Sequence, residues 1–288
     1  MRRCTVIVAT AMLALVLLMG SAEATSSMVD ARVTKQVPLV GVPMATAIAA
    51  DGKTVFVLNN NGTIAILEPN GRLRGTVQVG AGSTDIAASP DGHSIYVTDR
   101  GQKTLRIVEL DYIISLHVGN APFLGPPDAP VIIVVFSDFQ CPYCAKLNPI
   151  LRQVMKKYPQ QVRLAYKFLP LTSIHKVAMR AAIAALAAER QGKFWSYHDG
   201  LLADYGKLSE KKLLEIGEAC GLEMEQFARD RKDPRLVNRV REDMKEAGDK
   251  NVRSVPSVFI NGRLLRSRSL KSFDQAIMAE LHRLDLTK

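Results

Sequence analysis

The sequence predicts an α/β domain in its second half, preceded by a small all-β module. Residues 131–136 are an unbroken run of mostly β-branched apolar residues. A helix-compatible segment and a second apolar strand, 162–169, follow it, which is the order of a β-α-β unit. The region before this unit instead alternates short apolar runs with turn residues and repeats itself, which is typical of successive hairpins.

The first 24 residues have the pattern of a secretory signal peptide. Arg2 and Arg3 precede an apolar run, 6–19, and the small-x-small triplet Ala22-Glu23-Ala24 follows it. We therefore expect cleavage after residue 24 and export to the periplasm or another extracytoplasmic space. A membrane span needs about 20 apolar residues. An uncleaved membrane anchor is therefore the alternative to a cleaved signal.

Charge divides the chain into two parts. The formal net charge is +10, and the basic excess of the exported chain lies in 117–288, whereas charges balance over 25–116. Solvated helix surfaces rich in Lys and Arg account for this excess better than a binding patch does. Export argues against nucleic acid as a partner, while acidic substrates and anionic membrane surfaces stay open.

The all-β module, 25–116, contains two repeats. Gly41, Gly80 and Gly119 are spaced 39 residues apart, and an Asp-Gly turn recurs between them. A period of about 40 residues with four strands fits a propeller blade. Residues 89–98 resemble the YVTN-like and NHL-like propeller repeats, over roughly 40–118.

Two blades do not make a propeller, since closed propellers have about 4–8. The repeats must either pack against the second domain or be pooled between chains into one ring. Unpaired blade edges invite strand pairing, so the sequence favours pooling and predicts a homo-oligomer.

The chemistry of the second half, 117–288, points to Cys141-Pro142-Tyr143-Cys144. This pair opens the predicted helix, where unpaired N–H groups and a partial positive charge favour a thiolate. Cys141, at the exposed start, is the predicted nucleophile. Pro142 suits the first helical turn, and Cys144, one turn inward, is the predicted resolving thiol.

A second motif lies far along the chain, where Val255-Pro256 precedes a short strand and an Asn-Gly turn. With both motifs, the domain resembles the DsbA-like thioredoxin family. The resemblance implies a thioredoxin fold with a helical insertion over 174–249. It also implies a cis Val255–Pro256 bond that faces the cysteines and presents substrate.

One position departs from the family pattern. Val135 stands six residues before Cys141, where many relatives carry a buried acid. Lys167 matches a basic position of relatives but is expected to lack its usual partner, and Asp138 is a weak substitute for the acid. Both residues are candidates for electrostatic tuning. Removal of a nearby anion favours thiolates, and with them the reduced enzyme.

Other uses of the cysteines are less well supported. A zinc site would need further ligands, and Cys220, His175 and His198 lack paired metal spacing. The sequence thus predicts no metal and no cofactor beyond a redox-active disulfide. Cys220 is interpreted as a small buried apolar residue, with an intermolecular or regulatory thiol as the alternative.

The sequence as a whole predicts an exported thiol–disulfide oxidoreductase that oxidises protein thiols through Cys141 and Cys144. Its expected partners are unfolded or reduced exported proteins and a membrane thiol oxidase or reductase. The alternatives are an oligomeric disulfide isomerase or reductase, and a propeller-type binding module with an accessory redox domain.

Overall fold

The computed structural model describes residues 32–119 and 121–285. The chain divides into two compact units, Met1–Leu110 and Asp111–Lys288. The sequence placed this boundary a few residues later, at 116/117. The predicted signal peptide, 1–24, lies outside the described residues.

The N-terminal unit contains two antiparallel sheets. Sheet A has the strand order β1-β2-β3-β4, and sheet B has the order β5-β6-β7. Gly52 and Gly92 have φ values of +67° and +68° at equivalent Asp-Gly turns, a conformation that glycine adopts without steric cost. The strands are β1 Pro43–Ile48, β2 Val55–Asn59, β3 Thr63–Leu67, β4 Leu73–Gln78, β5 Ser83–Ala88, β6 Ser94–Asp99 and β7 Thr104–Glu109.

The second repeat differs from the expected four strands, because sheet B has three. The residues that should supply the fourth strand lie in the other unit. There Ile113 forms an isolated antiparallel bridge with Arg263, and the Ile114 N–H donates to the Gly262 carbonyl at 3.0 Å. Pairing at this sheet edge uses the backbone groups that a fourth blade strand would need. Over residues 32–119 the strands form no closed ring, so the propeller resemblance stays a prediction.

The C-terminal unit is built on a five-stranded sheet with the order β12-β11-β9-β10-β8. Strands β9 and β10 are parallel, and the other pairs are antiparallel. Its strands are β8 Phe123–Leu124, β9 Val131–Ser137, β10 Val162–Phe168, β11 Ser257–Ile260 and β12 Arg263–Leu264. Its helices are α1 Pro142–Lys157, α2 Ala178–Glu189, α3 Phe194–Ala203, α4 Glu210–Ala219, α5 Met224–Asp230, α6 Pro234–Asp249 and α7 Leu270–Arg283.

Strand β9 is the centre of this sheet and is buried on both faces. Val131, Ile133 and Val135 pack with apolar residues of α1 and α7. Val134 and Phe136 pack on the other face. A central parallel strand covered on both sides needs apolar residues at consecutive positions, which explains the unbroken run. The predicted β-α-β unit is confirmed, because β9 and β10 pair in parallel with α1 between them in the chain.

Helices α2–α6 follow β10 and precede β11, as the predicted insertion does. They supply most of one apolar cluster, and the two cysteines of the pair belong to that cluster. Tyr197 is fully buried in it, and its hydroxyl donates to the Leu213 carbonyl at 2.8 Å. None of the helices within residues 32–119 and 121–285 is long and apolar enough to cross a membrane.

Candidate active site

Cys141 caps the N-terminus of α1, directly after the loop that leaves β9. Its N–H donates to the Asp138 carbonyl and its carbonyl accepts from the Ala145 N–H, both at 3.1 Å. Pro142 is the first helical residue, where its missing N–H costs no hydrogen bond. No acidic residue lies in the first turn. The partial positive charge of the helix terminus therefore acts on Cys141 without an acidic neighbour in that turn.

Burial does not separate the two cysteines. Cys141 is 5% exposed and Cys144 is 3% exposed, so the expectation of an exposed Cys141 was wrong. Packing against α2 and α3 covers both residues, because the helical insertion closes over the start of α1. Tyr143, between them, is well exposed. Exposure alone therefore does not distinguish the two thiols.

The surroundings lower the pKa of Cys141 to about 6. The largest cause is a hydrogen bond from the Cys144 thiol, followed in the same direction by the N–H groups of Cys144 and Tyr143. Burial opposes them, and the nearby Asp138 carboxylate raises the pKa by a smaller amount. At neutral pH the Cys141 sulfur is therefore mostly a thiolate, which is the nucleophilic form.

The pKa of Cys144 moves in the opposite direction, well above its ordinary value. The hydrogen bond to Cys141 is the largest cause, and burial adds to it. The Ser137 hydroxyl and the Asp138 N–H act against this rise, because both hydrogen-bond to the Cys144 sulfur. Cys144 is thus a thiol in the reduced pair and holds the shared proton.

The segment before β11 meets Cys141 from more than a hundred residues away in sequence. The Val255–Pro256 peptide bond is cis. The Cys141 thiol lies 3.8 Å from the Val255 carbonyl oxygen, within hydrogen-bonding range for sulfur. The two sequence motifs are therefore brought together at one place.

Asp138 organises the loop before Cys141. One carboxylate oxygen accepts from the Gln140 N–H at 2.7 Å, and the other accepts from the Leu171 N–H at 2.7 Å. His175 Nδ1 lies 2.8 Å from the same second oxygen. The sequence did not indicate His175 as a neighbour of the site. No local sequence pattern indicates this contact, because only the fold brings residues 171–175 to this loop.

Lys167 has charged partners other than the acid that the family pattern places at position 135. Its Nζ lies 2.5 Å from Asp243 and 2.9 Å from Glu246, both on α6, and it donates to the His117 carbonyl at 2.9 Å. Tyr166 and Phe168, its neighbours on β10, belong to the apolar cluster of the cysteines. Side chains alternate along a strand, so Lys167 faces the opposite side of the sheet. Its charge is balanced on that side, away from the cysteine pair.

The remaining candidate residues do not form a metal site. Cys220 caps the C-terminus of α4, is partly buried against the insertion cluster and is a free thiol. Within the described parts of the chain, no three His, Cys, Asp or Glu side chains come together in a way that could hold a metal ion.

Comparison with known proteins defines the class. The C-terminal unit is similar to the crystal structure of a thioredoxin-like oxidoreductase from Silicibacter pomeroyi DSS-3. That match has 31% identity and a TM-score of 0.53, and covers 57% of this chain and 94% of that one. The fold also matches oxidised BdbD from Bacillus subtilis, at 20% identity and a TM-score of 0.51, over 58% of this chain and 95% of that one. The class is that of proteins with a thioredoxin-like fold.

The family follows from the sequence match. A thioredoxin family model matches residues 117–279, more than half of the chain, and the chain belongs to that family.

Curated proteins with similar sequence are longer. Residues of this chain are 40% identical over 154 positions to the Na(+)/H(+) antiporter NhaA 3 of Salinispora tropica. The match covers 54% of this chain and 24% of that protein. The chain thus spans about a quarter of the length of the curated relatives it matches.

Proposed function

We propose that the protein is an exported thiol oxidase that introduces disulfides into other exported proteins through Cys141 and Cys144. The observation that carries the proposal is the opposite displacement of the two thiol pKa values at the start of α1. A thiolate that is stabilised in the reduced pair makes the reduced form favourable. The oxidised form is then a better electron acceptor than a disulfide whose thiols have ordinary pKa values.

The reaction starts from the Cys141–Cys144 disulfide. A substrate thiolate attacks the Cys141 sulfur, the Cys141–Cys144 bond breaks, and Cys144 leaves as a thiolate. Because the pKa of Cys144 is raised, it takes up a proton at once. A second substrate thiolate then attacks the substrate sulfur of the mixed disulfide and releases Cys141 as a thiolate. The substrate loses two electrons, which stay on the Cys141–Cys144 dithiol.

The residues around the pair have supporting roles in this proposal. Val255 and Pro256 present an extended substrate to Cys141, supported by the position of the Val255 carbonyl beside the thiol. Pro142 and Tyr143 form the dipeptide between the cysteines, and the exposed Tyr143 can contact substrate. Asp138 acts mainly on the loop, with a small electrostatic effect on Cys141. We do not assign Lys167 a tuning role, because its ion pairs lie on the other face of the sheet.

The proposed partners follow from the direction of electron flow. Unfolded or reduced exported proteins are the substrates, and a membrane thiol oxidase restores the disulfide after each cycle. No cofactor other than the redox disulfide enters the reaction. The signal-like residues 1–24 support a periplasmic or other extracytoplasmic location.

Oxidative refolding of a reduced, unfolded model substrate such as ribonuclease tests the proposal. The oxidised full-length exported chain should restore ribonuclease activity, and Cys141→Ser should lower the rate to the uncatalysed level. Cys220→Ser is the matched control, because it removes a thiol outside the pair, and it should keep full activity. If the wild-type chain reduces insulin readily but does not oxidise ribonuclease, a reductase or isomerase replaces the oxidase.

A further inference from the structure

The two sheets of the N-terminal unit are copies of one design that differ in what covers them. Strands β2 and β3 of sheet A correspond to β6 and β7 of sheet B, and the paired positions match. The corresponding cross-strand pairs are Phe56–Ile66 and Leu58–Ile64 in sheet A, and Tyr96–Ile107 and Thr98–Leu105 in sheet B. Because side chains alternate across a strand, each set of four residues marks the same face of its sheet.

The two sheets pack on each other through unlike faces. Strands β1 and β2 contact β5, and Arg106 of β7 donates to the Val79 carbonyl at 2.6 Å. Arg106 pairs with Val97, so this face of sheet B points toward sheet A, and Ile95 and Val97 on it are fully buried. On sheet A, Leu39 covers the opposite face at Val57 and Ala65, so the face that carries Phe56 and Ile64 is the one left to pack on sheet B. The contact is therefore head to tail.

A head-to-tail contact between sheets A and B leaves one face of sheet B without a neighbouring sheet. Phe56, Leu58 and Ile64 of sheet A are each 0% exposed. On the same face of sheet B, Tyr96 is 37%, Leu105 59% and Ile107 60% exposed. We name these three residues of sheet B the open face. It is the surface through which sheet B would contact a third blade in the series.

We propose that the open face docks sheet A of a second copy of this chain, by the same head-to-tail contact that joins sheets A and B within one chain. The repeat itself argues for this occupant, because it already pairs this kind of face with a neighbouring blade. Repeated head-to-tail contacts close into a ring when the rotation permits. Closed propellers of about 4–8 blades correspond to two to four chains at two blades each.

The surface that receives the open face is the outer side of sheet A. Its centre is apolar, and Leu39 packs there against Val57, Ala65 and Leu67. Its rim carries exposed apolar side chains on β1 and β4, namely Met44, Ile48 and Leu73. The open face and the rim of the receiving surface therefore expose large apolar side chains, while Leu39 of the same chain covers the centre of the receiving surface.

The mass of the full-length exported chain in solution tests the proposal. Light scattering after size-exclusion chromatography should give two to four times the monomer mass at micromolar concentration. The double variant Leu105→Glu and Ile107→Glu should elute as a monomer, because two buried carboxylates would have no partner. Met278→Glu on α7 is the control for an added exposed charge and should keep the wild-type mass. A wild-type monomer at all concentrations overturns the proposal, as does a double variant that stays oligomeric.

Cross-linking distinguishes head-to-tail from face-to-face assembly. In a chain with Cys141, Cys144 and Cys220 replaced by Ser, a single Ile107→Cys should give no disulfide-linked dimer on mild oxidation. In the head-to-tail contact the two copies of residue 107 face different surfaces. Quantitative dimerisation through residue 107 would show two open faces in contact and contradict the proposed arrangement. This test does not depend on the redox activity of the pair.

Discussion

The central strand of each unit shows how differently the two units bury their sheets. Strand β9 of the C-terminal unit is buried at nearly every position. Helices α1 and α7 cover one face, and the apolar cluster that contains Val134 and Phe136 covers the other. Strand β6 of the N-terminal unit alternates buried and exposed residues. The C-terminal unit thus closes its own core around the cysteines, whereas the N-terminal unit leaves an apolar face open. We therefore infer that the C-terminal unit carries the chemistry and that the N-terminal unit serves assembly.

Separation of chemistry from assembly gives the prediction with the largest effect. Cys141→Ser should lower thiol oxidation to the uncatalysed rate, since it removes the thiol whose pKa is lowered at the start of α1. The double variant Leu105→Glu and Ile107→Glu should keep the rate per active site on a small dithiol peptide. Rates would be measured by loss of free thiol. A loss of activity in both variants would show that thiol oxidation depends on the open face, and would contradict the separation of the two roles.

The buried ion pair of the C-terminal unit should have the next largest effect. Lys167→Met leaves the buried Asp243 and the partly buried Glu246 without their cation. Loss of one partner of such a pair costs about 3–5 kcal/mol of unfolding free energy. Arg235→Met removes the ion pair of an exposed arginine with Asp233 and should cost far less, because solvent screens that pair. Urea denaturation measures both, and equal costs would contradict the burial of the Lys167 cluster.

Parts of this arrangement could be predicted from sequence, and the reasons are local. The apolar run of β9, the cysteine pair at the start of α1 and the strand after Pro256 each have a pattern within about ten neighbouring residues. The partners of Lys167 lie on α6, far along the chain, so no local pattern indicates them. The burial of Cys141 depends on α2 and α3. The missing fourth strand of sheet B depends on a sheet edge in the other unit.

The two faces of sheet B offer a smaller and direct test. Ile95→Ala removes a fully buried side chain and should lower the unfolding free energy by about 2–5 kcal/mol. Ile107→Ala changes an exposed side chain of the same type and should cost under about 0.5 kcal/mol in a chain kept monomeric by Leu105→Glu. Thermal or urea unfolding of the N-terminal unit measures both. Equal costs would show that the open face is already buried.

The pH dependence of Cys141 should be the mildest effect. Because its pKa is lowered to about 6, its alkylation rate in the reduced protein should fall as pH drops through about 6. The lowered pKa favours the reduced form above the ordinary thiol pKa of about 8.5, and this advantage is lost as pH falls through 6. Iodoacetamide rates from pH 4 to 9, with Cys220→Ser to remove the background thiol, give the midpoint. A midpoint above about 8 would contradict activation at the helix start.

The reduction potential of the Cys141–Cys144 pair distinguishes a thiol oxidase from a reductase. The oxidised full-length exported chain would be equilibrated with glutathione buffers and the free thiols of the pair counted. The lowered pKa of Cys141 predicts a potential clearly above about −270 mV, shifted toward the value of about −120 mV that marks a strong thiol oxidant. A value near −270 mV, typical of thioredoxin reductants, would contradict it.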